Sequence, residues 1–492
     1  MVKLRKILFA VFTLLYLIIC PALILYSLGI VIKPEIKDIV KTGVIYVDTT
    51  PSGATVFVNG KVSREETPTV IDNLIPGTYE IMIKAPHYKT WSTQVSVSAE
   101  KATPLNSILL LHDPILSTPI SQKPVEKLIT ADENPFVLAV TGDNTKDLFL
   151  HLWDESFRQN LLPEKETTPF FLKSLFNNDP ALAQGHIIKY FSTPSSPYMI
   201  FLVESNNKFK YYWSDLIFGA TKIEDITDLF PTTPTDIQWN ESDPRHLFSF
   251  ENQSVSRIDL ATKAIYPKIL ENVSAFTISG QMIFFINTSR SLVKTSTHSP
   301  QENIRLVSTS PLFNDLVYKH FPFSYLSAVS DNIIFLLGED GSLLSNVKPY
   351  LLFDKDVLGF QWNKKAQKLA FWTATKVGVF DFSKGTDPQQ DQRVWINYKF
   401  IEIKQAHWIQ DNYLVVEDAS DLLIANTECC GLSDVRKIAD IQKNSNTYYS
   451  AKIGKIFLIP KETGLFSYIN IISQHSLLKA VTKEKAEKNT EL

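Results

Sequence analysis

The chain has 492 residues, 49 basic against 52 acidic side chains and a net charge of −3. That length predicts more than one domain, and the balanced charge lacks the basic excess or stripe of a nucleic-acid binder. Hydrophobic residues at 44% and aromatics at 12% supply large cores and exclude a chain disordered as a whole. Residues 1–6 carry Lys3, Arg5 and Lys6, whereas 7–32 contain no charged side chain. As a helix rising about 1.5 Å per residue, 7–32 spans roughly 39 Å, more than a bilayer core requires. The stretch is therefore expected to be a transmembrane anchor. A cleaved signal has a shorter apolar core and a small-residue cleavage site, and a lipoprotein signal ending at Cys20 needs a small residue where Ile19 stands. Pro21 is tolerated as a kink. Lys33, Lys37 and Lys41 follow the span, so the charge rule is nearly tied. The compact amino-terminal cluster favours 1–6 in the cytoplasm and everything after the span outside it.

A polar neck at 33–41 leads into a module at 42–112. Residues 44–48 and 55–58 read as strands, and Asn59-Gly60 sits where a two-residue hairpin needs positive φ twice. Pro76-Gly77 suits a type II turn. Tyr79, Ile81 and Ile83 alternate with polar neighbours, as do Trp91, Thr93, Val95 and Val97, so each strand has one core face. The module resembles the PEGA domain through Thr50, Pro51, Ser52, Gly53, Ala54, Val56, Val58, Asn59, Gly60 and Lys61. The likeness continues through Thr67, Pro68, Leu74, Pro76, Gly77, Tyr79 and Tyr88, with Ser52 where the family's name has Glu. The resemblance implies a small β-sandwich of envelope proteins and little chemistry, because the shared residues form turns.

Pro114, Pro119 and Pro124 mark 113–124 as an extended, stiff linker. Beyond it, 125–478 is organised around a repeating unit best seen near Trp239: a short strand ending in Trp239-Asn240, a polar turn, a second strand at 247–250, another turn and a third at 255–260. Equivalent units surround Trp362 and Trp408, with weaker copies at Ile278 and Val329. These five anchors are separated by 39, 51, 33 and 46 residues, a mean of about 42, the length of one four-stranded propeller blade. Phe191, Ile129 and Ser450 mark further copies. The expected fold is all-β, with an N-terminal transmembrane helix, a PEGA-like sandwich and a β-propeller of seven or eight blades that is similar to WD-repeat-like families. Two sandwiches are the competing architecture. No unit carries a full Gly-His and Trp-Asp pair, and residues 479–492 read as a disordered charged tail.

Chemical motifs are sparse. The nine histidines are scattered without metal-ligand spacing, and no nucleophile elbow, phosphate loop or kinase signature is present. Glu339-Asp340-Gly341-Ser342 has a calcium-like composition, but its place between two apolar strands favours a hairpin turn. Trp239, Trp362 and Trp408 could form a stacking ring, yet their equivalent positions favour packing between sheets. Cys429 and Cys430 are too close for an ordinary disulfide. No catalytic, cofactor-binding or metal-ligating residue is designated, and no cofactor is expected. The sequence therefore points to a non-catalytic, membrane-anchored scaffold or binding protein of the envelope. Its partners would be the lipid bilayer and an envelope protein or glycan. The alternatives are a propeller hydrolase or lyase and an accessory factor for transport or envelope assembly.

Overall fold

The computed structural model describes residues 2–27, 30–33, 38–129, 136–140, 148–152, 170–171, 185–192, 198–215, 223–240, 243–330, 332–348, 351–383, 393–427, 435–443, 445–450 and 454–471. The chain divides into two compact units, one built on Met1–Leu116 and the other on Ser117–Ile469. Cys429, Cys430 and the 479–492 tail lie outside the described residues.

The first unit opens with helix α1 (Val2–Ser27). Its side chains at Leu8, Phe9, Val11, Phe12 and 14–19 are exposed. Among the described residues no helix is long and apolar enough to cross a membrane. The uncharged run at 7–32 is also not helical throughout. Ile30–Lys33 is a strand paired antiparallel with Asp38–Lys41, in keeping with the strand preference of the β-branched Ile30, Val31 and Ile32. The expected neck at 33–41 thus contributes to a hairpin.

A sandwich follows. One sheet places Gly43–Thr50 between Thr69–Leu74 and Ala102–Leu109, the last pairing being parallel; the other runs Lys61–Glu66, Thr55–Val58, Gly77–Lys84, Trp91–Val97. Alternation along the strands buries Ile45, Val47, Val56, Ile81, Ile83, Trp91, Val95 and Val97. Asn59 and Gly60 take φ of 46° and 78° and close the expected hairpin. The Pro51–Ala54 turn is clasped by two buried threonines. The Thr49 hydroxyl donates to Pro51 O at 2.7 Å and meets the Thr67 hydroxyl at 2.5 Å, while Ala54 N donates to Thr67 Oγ1 at 3.0 Å. The turn at Pro76-Gly77 departs from expectation. Gly77 begins a strand, and the positive φ falls on Asn73, at 57°, a residue type whose short polar side chain also tolerates that region.

In the second unit, eight four-stranded antiparallel sheets are found among the described residues. Their first strands are Lys127–Ile129, His186–Ser192, Asp236–Trp239, Val273–Ser279, Phe323–Ser330, Gly359–Asn363, Ile403–Gln410 and Tyr448–Ser450. Each of the eight sequence anchors falls within one of these first strands. Strands follow in chain order within the first seven sheets, and the first strands of the second to fifth sheets, and of the sixth to eighth, lie against one another in succession. The arrangement is a β-propeller.

The eighth sheet takes its outer strand from the other end of the unit. Ser117–Pro124 pairs with Leu465–Asn470, so the stretch expected as a linker is an edge strand. Proline is compatible with an edge, where one row of amides has no ladder partner. The register shifts between Pro119 and Pro124, and the Ser121 hydroxyl accepts from Phe466 N at 2.9 Å.

The cores lie between successive sheets. Trp239 is buried with Phe191, Ile200, Leu202 and Leu247 from the second and third sheets, and Trp362 packs against Phe335, Leu369 and Phe371. Trp408 packs against the sixth and seventh sheets, donating its indole N–H to Gln361 O at 3.1 Å. These rings fill the wedge between sheets, as expected. Gln238 and Gln361, each preceding a tryptophan, add a polar clamp. Gln238 donates to Phe276 O at 3.0 Å and accepts from Ile278 N at 3.2 Å; Gln361 Oε1 accepts from Trp408 N at 2.7 Å. Each side chain thereby imitates one rung of a ladder to the next sheet.

Candidate functional site

Polar groups at one end of the sheets hold strand ends together. Where the second strand starts and the third ends, the register pairs His246 with Asp259, Lys368 with Asp381 and Tyr413 with Asn426. The corresponding side chains meet: His246 Nε2 lies 3.8 Å from Asp259, Lys368 Nζ 4.0 Å from Asp381, and Asn426 Nδ2 donates to Tyr413 at 3.2 Å. Asp243 takes two guanidinium bonds from Arg245 at 3.0 and 3.1 Å and lies 3.1 Å from His246. Chiefly through Arg245, its carboxyl is held at about 2. Asp259 in turn accepts from Ala261 N and Thr262 N. Each group is committed to a turn or a strand end.

Two buried carboxylates in the seventh sheet are also committed. Glu417 accepts from Thr447 N at 2.7 Å, from the Thr447 hydroxyl and from Gln405 Nε2, which ties the seventh sheet to the eighth. Asp418 accepts from Ile401 N at 2.8 Å and from Glu402 N at 2.6 Å. Neutral donors satisfy these buried side chains, as burial requires.

The opposite end carries an open cleft of about 810 Å³ between the fifth and sixth sheets. Three turns form it: 338–341 between the second and third strands of the fifth sheet, 354–358 leading to the sixth sheet, and 373–376 within the sixth. Ser324, Leu337, Val357, Leu358 and Ala374 contribute apolar and neutral surface. The acidic residues Glu339, Asp340, Asp354 and Asp356 and the basic residues Lys355 and Lys376 also line it. Lys376 Nζ is 6.0 Å from the Trp395 ring.

These turns are fixed from below. Gly341 has a φ of 78°, and a Cβ on it would come within 2.8 Å of Asp356 Cα, so only glycine permits this approach. Val357 N donates to Gly341 O at 2.9 Å, and Leu358 N to Trp372 O at 2.8 Å. Thr373 Oγ1 accepts from the amides of Thr375 and Lys376. Asp340 anchors the first turn. Its carboxylate accepts from Ser342 N at 2.9 Å and Ser342 Oγ at 3.1 Å and meets His320 Nδ1 at 2.6 Å. His320 is buried and caps helix α2 (Pro311–Lys319) by donating its amide to Leu316 O. Burial alone would raise the Asp340 pKa, but the bonds from His320 and Ser342 outweigh it and hold the carboxyl below its ordinary value.

Glu339 to Ser342 is therefore a hairpin turn, as its setting between apolar strands suggested, with Gly341 N donating to Gly338 O at 3.0 Å. Ser342 bonds to Asp340 rather than to His320, so the three do not form a nucleophile and base pair. Among the described residues, no group of three or more His, Cys, Asp or Glu side chains could hold a metal ion. The charged lining of the cleft was not legible in the sequence. Its signal was the Asp354-Lys355-Asp356 run after an apolar strand, though nothing local ties that run to Glu339.

Residues 42–110 match the PEGA domain family. Among curated proteins none matches the chain. Solved structures similar to the chain include the computationally designed Ika8 protein, at 10% identity and a TM-score of 0.42, over 73% of this chain and 99% of that one. Hsv2 of Kluyveromyces lactis is similar at 12% identity and a TM-score of 0.40, over 66% of this chain and 99% of that one. PorZ, a bacterial surface component of the type-IX secretion system of Porphyromonas gingivalis, is similar at 10% identity and a TM-score of 0.35, over 69% of this chain and 42% of that one. The PEGA match lies wholly within the first unit, whereas the acidic cleft belongs to the propeller.

Proposed function

We propose that the chain is a non-catalytic scaffold or binding protein of the cell envelope, anchored in the membrane through α1. In this reading the eight sheets are the blades of a closed propeller whose loop face receives a protein or glycan. The observation that carries the binding role is the cleft between the fifth and sixth sheets. It is open and its turns are locked in place by Gly341, Asp340 and Thr373, so binding there involves little loop ordering. The buried carboxylates nearest in sequence, Glu417 and Asp418, are occupied by amides and hydroxyls that hold the sheets together. The anchor is supported by the exposed apolar side chains of α1 between Leu8 and Ile19, which suit lipid better than water.

Equilibrium binding of the purified full-length chain to glycan and peptide panels, with product analysis of the same mixtures, tests the reading. Retention of a ligand without turnover is expected. Specific hydrolysis or elimination, lost when cleft carboxylates are neutralised, would establish the enzyme instead.

A further inference from the structure

The loop face also carries a guanidinium with no polar partner. Arg290 lies in the turn between the second and third strands of the fourth sheet, Met282–Asn287 and Leu292–Ser296, which places it at the end of the sheets that holds the cleft. Its guanidinium carbon is 4.8 Å from the Tyr318 ring and 5.1 Å from the Phe321 ring. Both rings belong to firm structure. Tyr318 is in the last turn of α2, which buries Phe313 and Val317, and Phe321 packs against the core between the fourth and fifth sheets. The turn is equally fixed, with Ser291 N donating to Asn287 Oδ1 and Arg290 N to Asn287 O, both at 2.9 Å. Arg257 and Arg393, also half-buried, each donate to a backbone carbonyl, whereas the Arg290 guanidinium has neither a hydrogen bond nor an ion pair among the described residues. Two rings therefore restrain the cation while its planar fork of N–H donors is left uncommitted.

A fork of this kind takes a carboxylate or a phosphate through two parallel hydrogen bonds. One uncommitted guanidinium matches the single charge of a carboxylate, whereas a phosphate monoester brings about two negative charges. The flanks are aromatic and apolar: Tyr318 is 60% exposed, and Leu306, 51% exposed, pairs with Val293 just beyond the Arg290 turn. Tyrosine and arginine together are enriched where one protein meets another. Resting on the binding-protein reading above, we propose that this corner of the loop face docks an acidic segment of a protein partner. A glutamate or aspartate of the partner accepts two hydrogen bonds from Arg290, and an apolar side chain beside it covers Leu306 and the Tyr318 ring. The guanidinium is held in place before the partner arrives, so little side-chain freedom is lost on binding.

Fluorescence anisotropy of the full-length chain in detergent micelles tests this with the labelled hexapeptide Gly-Leu-Glu-Glu-Leu-Gly and its amide counterpart Gly-Leu-Gln-Gln-Leu-Gly. The acidic peptide should bind, the amide peptide should not, and binding should weaken with salt. Arg290→Gln should bind about tenfold more weakly, and Arg290→Lys, which keeps the charge but not the fork, should recover only part of that loss. Leu306→Ala, at an exposed position, should weaken binding independently and serves as the second test if the Arg290 variants unfold early. A guanidinium that only staples α2 to the fourth sheet would lower the unfolding midpoint in Arg290→Gln and leave peptide affinity unchanged, which overturns the proposal. Equal binding of the two peptides or no binding of either overturns it too, as does displacement of the acidic peptide by inorganic phosphate at lower concentration than by acetate. Binding of a galacturonate trimer without the acidic peptide overturns it but leaves the binding-protein reading in place, whereas cleavage of any of these probes removes both.

Discussion

The Asp340 carboxylate holds the buried imidazole of His320 and both donors of Ser342, so one side chain fixes a wall of the cleft. Its folded pKa lies below the ordinary carboxylate value. Such a group contributes stability that is present above its unfolded pKa, near 3.9, and lost as pH falls through the lower folded value. Unfolding midpoints should therefore drop more steeply below about pH 4 in the native chain than in Asp340→Asn. The difference should be small, since the side chain is 48% exposed and screened. Near neutral pH, Asp340→Ala should cost about 1–3 kcal/mol because His320 stays buried without its partner; denaturant titration would show it. Gly341→Ala should cost a similar amount, roughly 1–3 kcal/mol, through its positive φ and its approach to Asp356. The turn itself was legible, because polar and glycine residues between apolar runs have a local meaning. That it faces Asp354–Asp356 was not, because the proximity is created by sheet register and by glycine contact at long range.

Sheets are joined by apolar wedges and by single side chains that imitate ladder bonds. Gln361 lies beside the half-buried first strand of the next sheet and accepts from Trp408 N, so Gln361→Leu leaves that amide unsatisfied and should cost about 1–3 kcal/mol. Gln238→Leu should behave alike at Ile278 N. With the two clamps in different interfaces, their costs should add within about 0.5 kcal/mol in the double variant; a large deviation would show that the sheets do not unfold as semi-independent layers. The period was legible because tryptophan is large and rare. The triplet Gln-Trp-Asn at 238–240 and 361–363 also carried the clamp in plain view, and its meaning required knowing that one period separates donor from acceptor. The outer strand Ser117–Pro124 was misread because three prolines dominate local composition, and an edge tolerates them. A chain beginning at residue 113 should retain a cooperative propeller transition by calorimetry, whereas one beginning at 125 should lose it, since the eighth sheet would be left with an unpaired strand.

Closing the second unit with a strand from its own beginning couples chain entry to ring stability and displays loops from several sheets on one surface. A surface of that kind serves binding only where partners can reach it, so under the proposed membrane anchor the orientation of the chain decides which partners are available. The apolar helix α1 opens the first unit, and the basic cluster Lys3, Arg5 and Lys6 precedes its apolar run. If that cluster stays in the cytoplasm, everything from Lys33 onward lies outside. The positive residues Lys33, Lys37 and Lys41 on the other side make the charge difference small. Protease added to intact spheroplasts should then digest the sandwich and the propeller without lysis, and mass spectrometry should find peptides from both units in the medium. Protection of both units until the membrane is broken would reverse the orientation and replace envelope partners with cytoplasmic ones. Lys33→Glu with Lys37→Glu should strengthen the outward placement by removing the competing positive charge. An unchanged pattern in that variant, together with full release of the protein by carbonate washing, would mean that α1 lies on the membrane or against another protein instead of through the bilayer.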